Sequence, residues 1–207
     1  MRTIYPANRT GLLIVDPYND FLSEGGKLWP KVKAVAESVD LIAHLRVLVG
    51  AARQSGIVVF YVPHRRWREG DYDGWRYPSP AQLTGDRAAI FADGSWGGEW
   101  HPDLGPEPGD VIVEQHCGQN GFANTDLDLQ LKQRDIDRII IAGMLANTCV
   151  EGTARCGAEI GYHVTLVRDA TAAFSREAMR AAHRINGPSF AHAILTTDEV
   201  VAVLTRA

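Results

Sequence analysis

Six short apolar runs punctuate the chain, at 11–16, 57–62, 110–114, 138–142, 162–167 and 192–196. Runs such as Ile139-Ile140-Ile141 lack polar alternation, which is the pattern of a strand covered on both faces in a parallel sheet. Between most of them the apolar residues recur at helical spacing. The clearest case is 31–55, where Val32, Val35, Ala36, Val39, Ile42, Ala43, Leu45 and Leu48 keep the period and Gly56 closes it. Further helices are expected over 125–134, 147–160, 176–186 and 197–205. This alternation predicts an α/β fold, a doubly wound, Rossmann-like six-stranded parallel sheet with helices on both faces. In the strand order 3-2-1-4-5-6, strands 1 and 4 are neighbours where the winding reverses. The crevice there would receive Asp16 and the turn after Ile141.

One stretch, 63–109, breaks the rhythm. It holds no long element but contains Trp67, Trp75, Trp96 and Trp100, four of the five tryptophans, with Gly94, Gly97 and Gly98. Such an insertion serves as a lid, as an oligomer contact, or as a satellite core pinned by its aromatics. At 207 residues and 45% hydrophobic, the chain suits a single domain over 1–207. Its formal charge of -4 and the absence of a basic block argue against nucleic acid and anionic membranes, and leave a small molecule as the expected partner. No apolar run is long enough for a membrane span and the start lacks a secretory core, so a cytoplasmic location is expected. Three cysteines, without metal-type spacing, fit a reducing compartment with free thiols.

Two residues carry the candidate chemistry. Cys149 follows the strand-to-turn sequence Ile141-Ala142-Gly143-Met144-Leu145, where the start of a helix would favour thiolate and aim backbone N–H groups at an oxyanion. Asp16 ends Leu12-Leu13-Ile14-Val15; a turn former in the plain reading, beside a thiol it becomes a proton acceptor. Asp20 reads as a surface or loop-capping carboxylate, and Cys117 and Cys156 as spectators. His64 and His116 are isolated in sequence, so neither a metal site nor a cofactor is expected.

Four segments together resemble the isochorismatase-like hydrolases, in their cysteine hydrolase and amidohydrolase branch. They are Leu12-Leu13-Ile14-Val15-Asp16-Pro17-Tyr18-Asn19-Asp20-Phe21, Gly121-Phe122-Ala123-Asn124-Thr125-Asp126-Leu127-Asp128, Ile141-Ala142-Gly143-Met144-Leu145-Ala146-Asn147-Thr148-Cys149-Val150, and the run from Gly161 to Ala170 that includes Asp169. The resemblance implies Asp16 as general base, Cys149 as nucleophile, a cis peptide at Met144–Leu145, and the N–H groups of Leu145 and Cys149 as oxyanion hole. It also implies a lysine at the end of the third strand, where this chain reads Glu114-Gln115-His116. Gln115 is expected to take that position, with Glu114 or His116 presented instead if the register shifts. Phe21, Phe122 and Trp96 are the expected substrate contacts. The function implied is hydrolysis of a C–N bond in a small amide, ureido or carbamoyl compound through a thioester, by a homo-oligomer (dimer or tetramer). The rival expectations are a vinyl-ether hydrolase that uses Asp16 alone and a non-catalytic binding protein on the same scaffold.

Overall fold

The computed structural model describes residues 5–205. Its six strands are β1 (Thr10–Val15), β2 (Val58–Val62), β3 (Val111–Ile112), β4 (Arg138–Met144), β5 (His163–Ala172) and β6 (Ala193–Leu195). They form one sheet in the order β3-β2-β1-β4-β5-β6, and every pairing is parallel. This is the expected topology. All six residues of β1 are buried, and alternation sorts the strand residues onto two cores. Leu12, Ile14, Val59, Tyr61, Ile140 and Ala142 pack on one side, with α3 (Leu41–Gln54) and α8 (Thr197–Leu204). On the other side Leu13, Val15, Phe60, Val62, Ile139 and Ile141 meet α5 (Leu127–Lys132) and α6 (Glu151–Glu159). A fully buried aliphatic side chain contributes about 1.5–3 kcal/mol, so covering both faces at once fixes the central strands firmly.

The helix expected over 31–55 is two: α2 (Trp29–Ser38) and α3. Asp40 separates them in a left-handed conformation (φ 49°), which an aspartate tolerates better than a bulky residue and which the apolar period does not reveal. Beyond β1 a short helix, α1 (Asn19–Leu22), leads towards α2. The long 63–109 segment is not devoid of helix. It contains α4 (Pro80–Ala88), started by a reciprocal cap between Ser79 and Gln82. After β5, α7 (Arg176–Arg180) runs into a π-helical turn over Ala181–Asn186. No helix among the described residues is long and apolar enough to cross a membrane.

The central register places the candidate chemistry. Val15 pairs with Val62 on one side and with Gly143 on the other, so the ends of β1, β2 and β4 lie side by side. Gly143 is required there: it has φ 111°, and a Cβ on it would fall 2.2 Å from the Val15 carbonyl oxygen.

Candidate active site

At the end of β1 the chain turns sharply. Asp16 adopts φ 52°, its N–H donates to the Val62 carbonyl at 3.2 Å, and Tyr18 N–H donates back to the Asp16 carbonyl at 2.8 Å. The Asp16 side chain is buried. Its Oδ1 accepts from the His64 backbone N–H at 2.5 Å and faces His116 Nε2 at 3.2 Å, while its buried Oδ2 has no hydrogen-bond partner.

Cys149 reaches the same point from β4. The Met144–Leu145 peptide is cis, as the resemblance implied. The chain then enters a π-helical turn over Ala146–Val150, with Thr148 and Val150 N–H both donating to the Leu145 carbonyl, and continues as α6. Cys149 is buried at 8% exposure, its sulfur 3.9 Å from the Gly118 carbonyl oxygen. Ligand-capable atoms of Asp16, His116 and Cys149 all lie within 4.8 Å of one another.

The electrostatics of the thiol differ from the expectation for the first turn of a helix. Burial pushes the Cys149 thiol well above its ordinary range, and the Asp16 carboxylate adds to this; the Thr148 hydroxyl and Leu145 N–H pull more weakly the other way. The resting sulfur is therefore held as thiol. Loss of solvation at a sealed site and repulsion from a neighbouring anion together outweigh the partial charge of a helix terminus.

His116, rather than Gln115, meets Asp16. His64 and His116 form a parallel bridge beyond β2 and β3, shifted by one residue from the Phe60–Val111 and Tyr61–Ile112 register, and this shift brings His116 rather than Gln115 opposite His64 and onto the same side. Gln115 Oε1 instead accepts from Arg66 N–H at 2.8 Å, and its side chain lines an open cleft with Arg65, Arg68 and Cys117. Glu114 is exposed, its N–H bonded to Asp126. The His116 ring is fixed at both ends, Nδ1 lying 2.9 Å from the Gly118 carbonyl and Nε2 against Asp16. With Nδ1 donating to a carbonyl, a hydrogen bond from Nε2 to the carboxylate requires the second proton, hence an imidazolium. Burial alone would lower the His116 pKa, yet the attraction and hydrogen bond of Asp16, with the Gly118 contact, raise it. His64 is pushed the other way, chiefly by burial and further by His116, against the pull of Asp16.

Of the other expected site residues, Phe21 and Phe122 are buried and Trp96 is not. Phe21 is buried against Phe91, Phe122 stacks on Tyr162 behind the nucleophile turn, and Trp96 is half exposed over Gly25 while its carbonyl accepts from Asn19. Asp20 is not on the surface. It is 2% exposed and clamps the long segment by accepting from the N–H groups of Lys27 and Phe91. Tyr18 and Arg66, neither singled out by the sequence, complete the roof with Trp100 of the long segment. Tyr18 stacks on Trp100 with ring centres 5.1 Å apart, its hydroxyl donates to the His64 carbonyl, and the Arg66 guanidinium lies over both rings. Only the Asp16-Pro17-Tyr18 adjacency hinted at this in sequence.

The sheet order and winding crevice are those of a doubly wound α/β fold of the isochorismatase type, and the isochorismatase domain model matches residues 10–198, so the chain belongs to that family. Among curated relatives it is similar to ureidoacrylate amidohydrolase RutB of Stutzerimonas stutzeri (strain A1501), 30% identical over 176 residues that cover 80% of this chain and 70% of the relative. Among solved structures it resembles a cysteine hydrolase from Pseudomonas syringae pv. phaseolicola 1448A, with TM-score 0.82 and 28% identity over 100% of this chain and 98% of that one. It also resembles N-carbamoylsarcosine amidase from Thermoplasma acidophilum, with TM-score 0.70 and 25% identity, covering 92% and 97%.

Proposed function

We propose that this protein is a cysteine hydrolase that cleaves a C–N bond in a small ureido or carbamoyl compound. The observation that carries the reading is the burial of Cys149, Asp16 and His116 together, ligand atoms within 4.8 Å, at the topological switch point of the sheet. The names of the relatives, a ureidoacrylate amidohydrolase and an N-carbamoylsarcosine amidase, support the bond type and the substrate class.

In this reading the Cys149 thiol passes its proton to Asp16, whose Oδ2 is otherwise unpartnered, as sulfur attacks the carbonyl carbon. The Leu145 and Cys149 N–H groups receive the tetrahedral oxyanion. Asp16 then returns the proton to the leaving nitrogen, and ammonia or an amine departs. Water, deprotonated by Asp16, attacks the thioester and frees the carbonyl product and the thiol. His116 supplies, through Asp16 Oδ1, the positive charge that the resemblance places on a lysine. The raised thiol pKa is compatible with this cycle, because proton transfer and attack can be concerted once substrate is in place. We further propose a reducing, cytoplasmic setting, supported by three free cysteines, and a homo-oligomer, supported by the exposed aromatics Trp75 and Tyr77; the mass in solution tests the latter.

The test is ammonia release from a panel of N-carbamoyl and ureido acids. Turnover that falls at least about 10³-fold in Cys149→Ser, with an unchanged melting temperature, is the expected result. Retained turnover in that variant overturns the mechanism.

A further inference from the structure

His116, standing against Asp16 where the resemblance implies a lysine, brings more than a positive charge. A lysine ammonium has no lone pair to give, whereas a histidine nitrogen has, so this chain assembles a thiol, an imidazole and a carboxylate at one point. The three come from separate segments: the end of β1, the extension of β3 and the turn after β4. Several details of the group are those of a metal site. Its atoms lie within 4.8 Å of each other, and His116 Nε2 is 3.2 Å from Asp16 Oδ1, close to the roughly 3.3 Å between ligands that a tetrahedral ion with bonds of about 2.0–2.1 Å would impose. The far nitrogen of His116 is held by the Gly118 carbonyl at 2.9 Å, the outer contact that orients a metal-bound imidazole. Asp16 Oδ2 is buried without a hydrogen-bond partner. Closing the group onto an ion requires a movement of up to about 1.3 Å, from 4.8 Å to the roughly 3.5 Å that separates sulfur from nitrogen or oxygen around a tetrahedral ion.

We propose that Asp16, His116 and Cys149 bind a thiophilic divalent cation, Zn²⁺ being the physiological fit, and that the bound ion silences the thiol. A mixed sulfur, nitrogen and oxygen set selects Zn²⁺ over Mg²⁺ or Ca²⁺, which prefer oxygen alone. Binding exchanges protons for the ion: the thiol proton leaves to solvent as the S–metal bond forms, and any proton on His116 Nε2 leaves likewise. The sulfur lone pair and the carboxylate that would accept the thiol proton are then both engaged. Occupancy and nucleophilic attack are mutually exclusive. The inference rests on the donor geometry and holds whether or not the amide substrate is found.

Co²⁺ is the probe. Titration of the reduced full-length protein should give one saturable sulfur-to-cobalt charge-transfer band per chain in the near ultraviolet, displaced by Zn²⁺. Cys149→Ser should abolish the band, His116→Lys should weaken Co²⁺ binding by at least about tenfold, and the double variant Cys117→Ser, Cys156→Ser should leave it unchanged. Iodoacetamide labelling of Cys149, read by mass spectrometry on folded protein, should slow by at least about tenfold under saturating Zn²⁺ and recover with chelator. A wild-type protein with no saturable band, or a band that survives in Cys149→Ser, overturns the site. Unchanged labelling of Cys149 at saturation overturns the silencing. None of these readouts needs turnover, so failure of the amide screen and failure of the metal site are told apart.

Discussion

His116 Nε2 lies 3.2 Å from Asp16 Oδ1 with both side chains sealed from solvent, and the opposite nitrogen of the ring is tied to the Gly118 carbonyl. A buried carboxylate would otherwise face a desolvation cost of several kcal/mol, and the histidine helps offset it next to a thiol that, in the proposed mechanism, gives its proton to the same carboxylate. The unpaired oxygen of Asp16 is thereby left for the sulfur.

Removing the charge of Asp16 should separate two properties of Cys149. In Asp16→Asn the repulsion that holds the thiol protonated is gone, so the apparent pKa read from alkylation rate against pH should fall. Turnover should fall as well, by about 10²–10⁴-fold, because the proposed mechanism loses its proton acceptor. A variant with faster labelling and slower hydrolysis is the expected combination.

The close approach of β1 and β4 makes Gly143 intolerant of any side chain. A Cβ there meets backbone at 2.2 Å, and no rotamer can relieve a clash with the Val15 carbonyl. Gly143→Ala should destabilise the fold by at least about 2–3 kcal/mol, measured by urea denaturation, with activity lost in proportion to the displaced crevice.

His183 gives the protein an acid-sensitive element away from the sulfur. It sits in the second π-helical turn, Nε2 bonded to Thr171 at 2.8 Å and Nδ1 buried without a partner. Burial lowers its pKa to about 4, helped by Arg168 and opposed by Glu151 and Asp169. The folded state thus takes up the proton later than the unfolded chain, whose histidine titrates near 6.5. Stability from the neutral ring is complete above about pH 6.5 and lost as pH falls towards 4, a change of up to about 3 kcal/mol. His183→Gln should flatten the pH dependence of unfolding free energy across that window.

Arg66 should hold the roof in place. Its guanidinium covers Tyr18 and Trp100 at 5.2 and 5.0 Å, and Nε donates to the Gly98 carbonyl at 2.7 Å. Arg66→Ala should cost about 1–2 kcal/mol and speed limited proteolysis within residues 94–100, with little effect on the sheet.

The apolar runs determined the architecture by themselves. Strands such as Leu12-Leu13-Ile14-Val15 and Ile139-Ile140-Ile141 are satisfied when both faces are covered, and that condition, with alternating helices, selects the parallel sheet observed. Asp16 and Cys149 were legible for the same reason, since each follows such a run where a strand must end. Tertiary structure decided what those runs do not encode. Whether Gln115 or His116 faces Asp16 depends on one extra residue after β3, which shifts the pairing before the His64–His116 bridge, reverses the side chains beyond it and leaves no mark in composition. The same holds for the sealed, raised thiol, for buried Asp20 and for the cage around Arg66. Each arises from desolvation and contact between segments far apart in the chain, and these are properties of a packed interior that no local pattern contains.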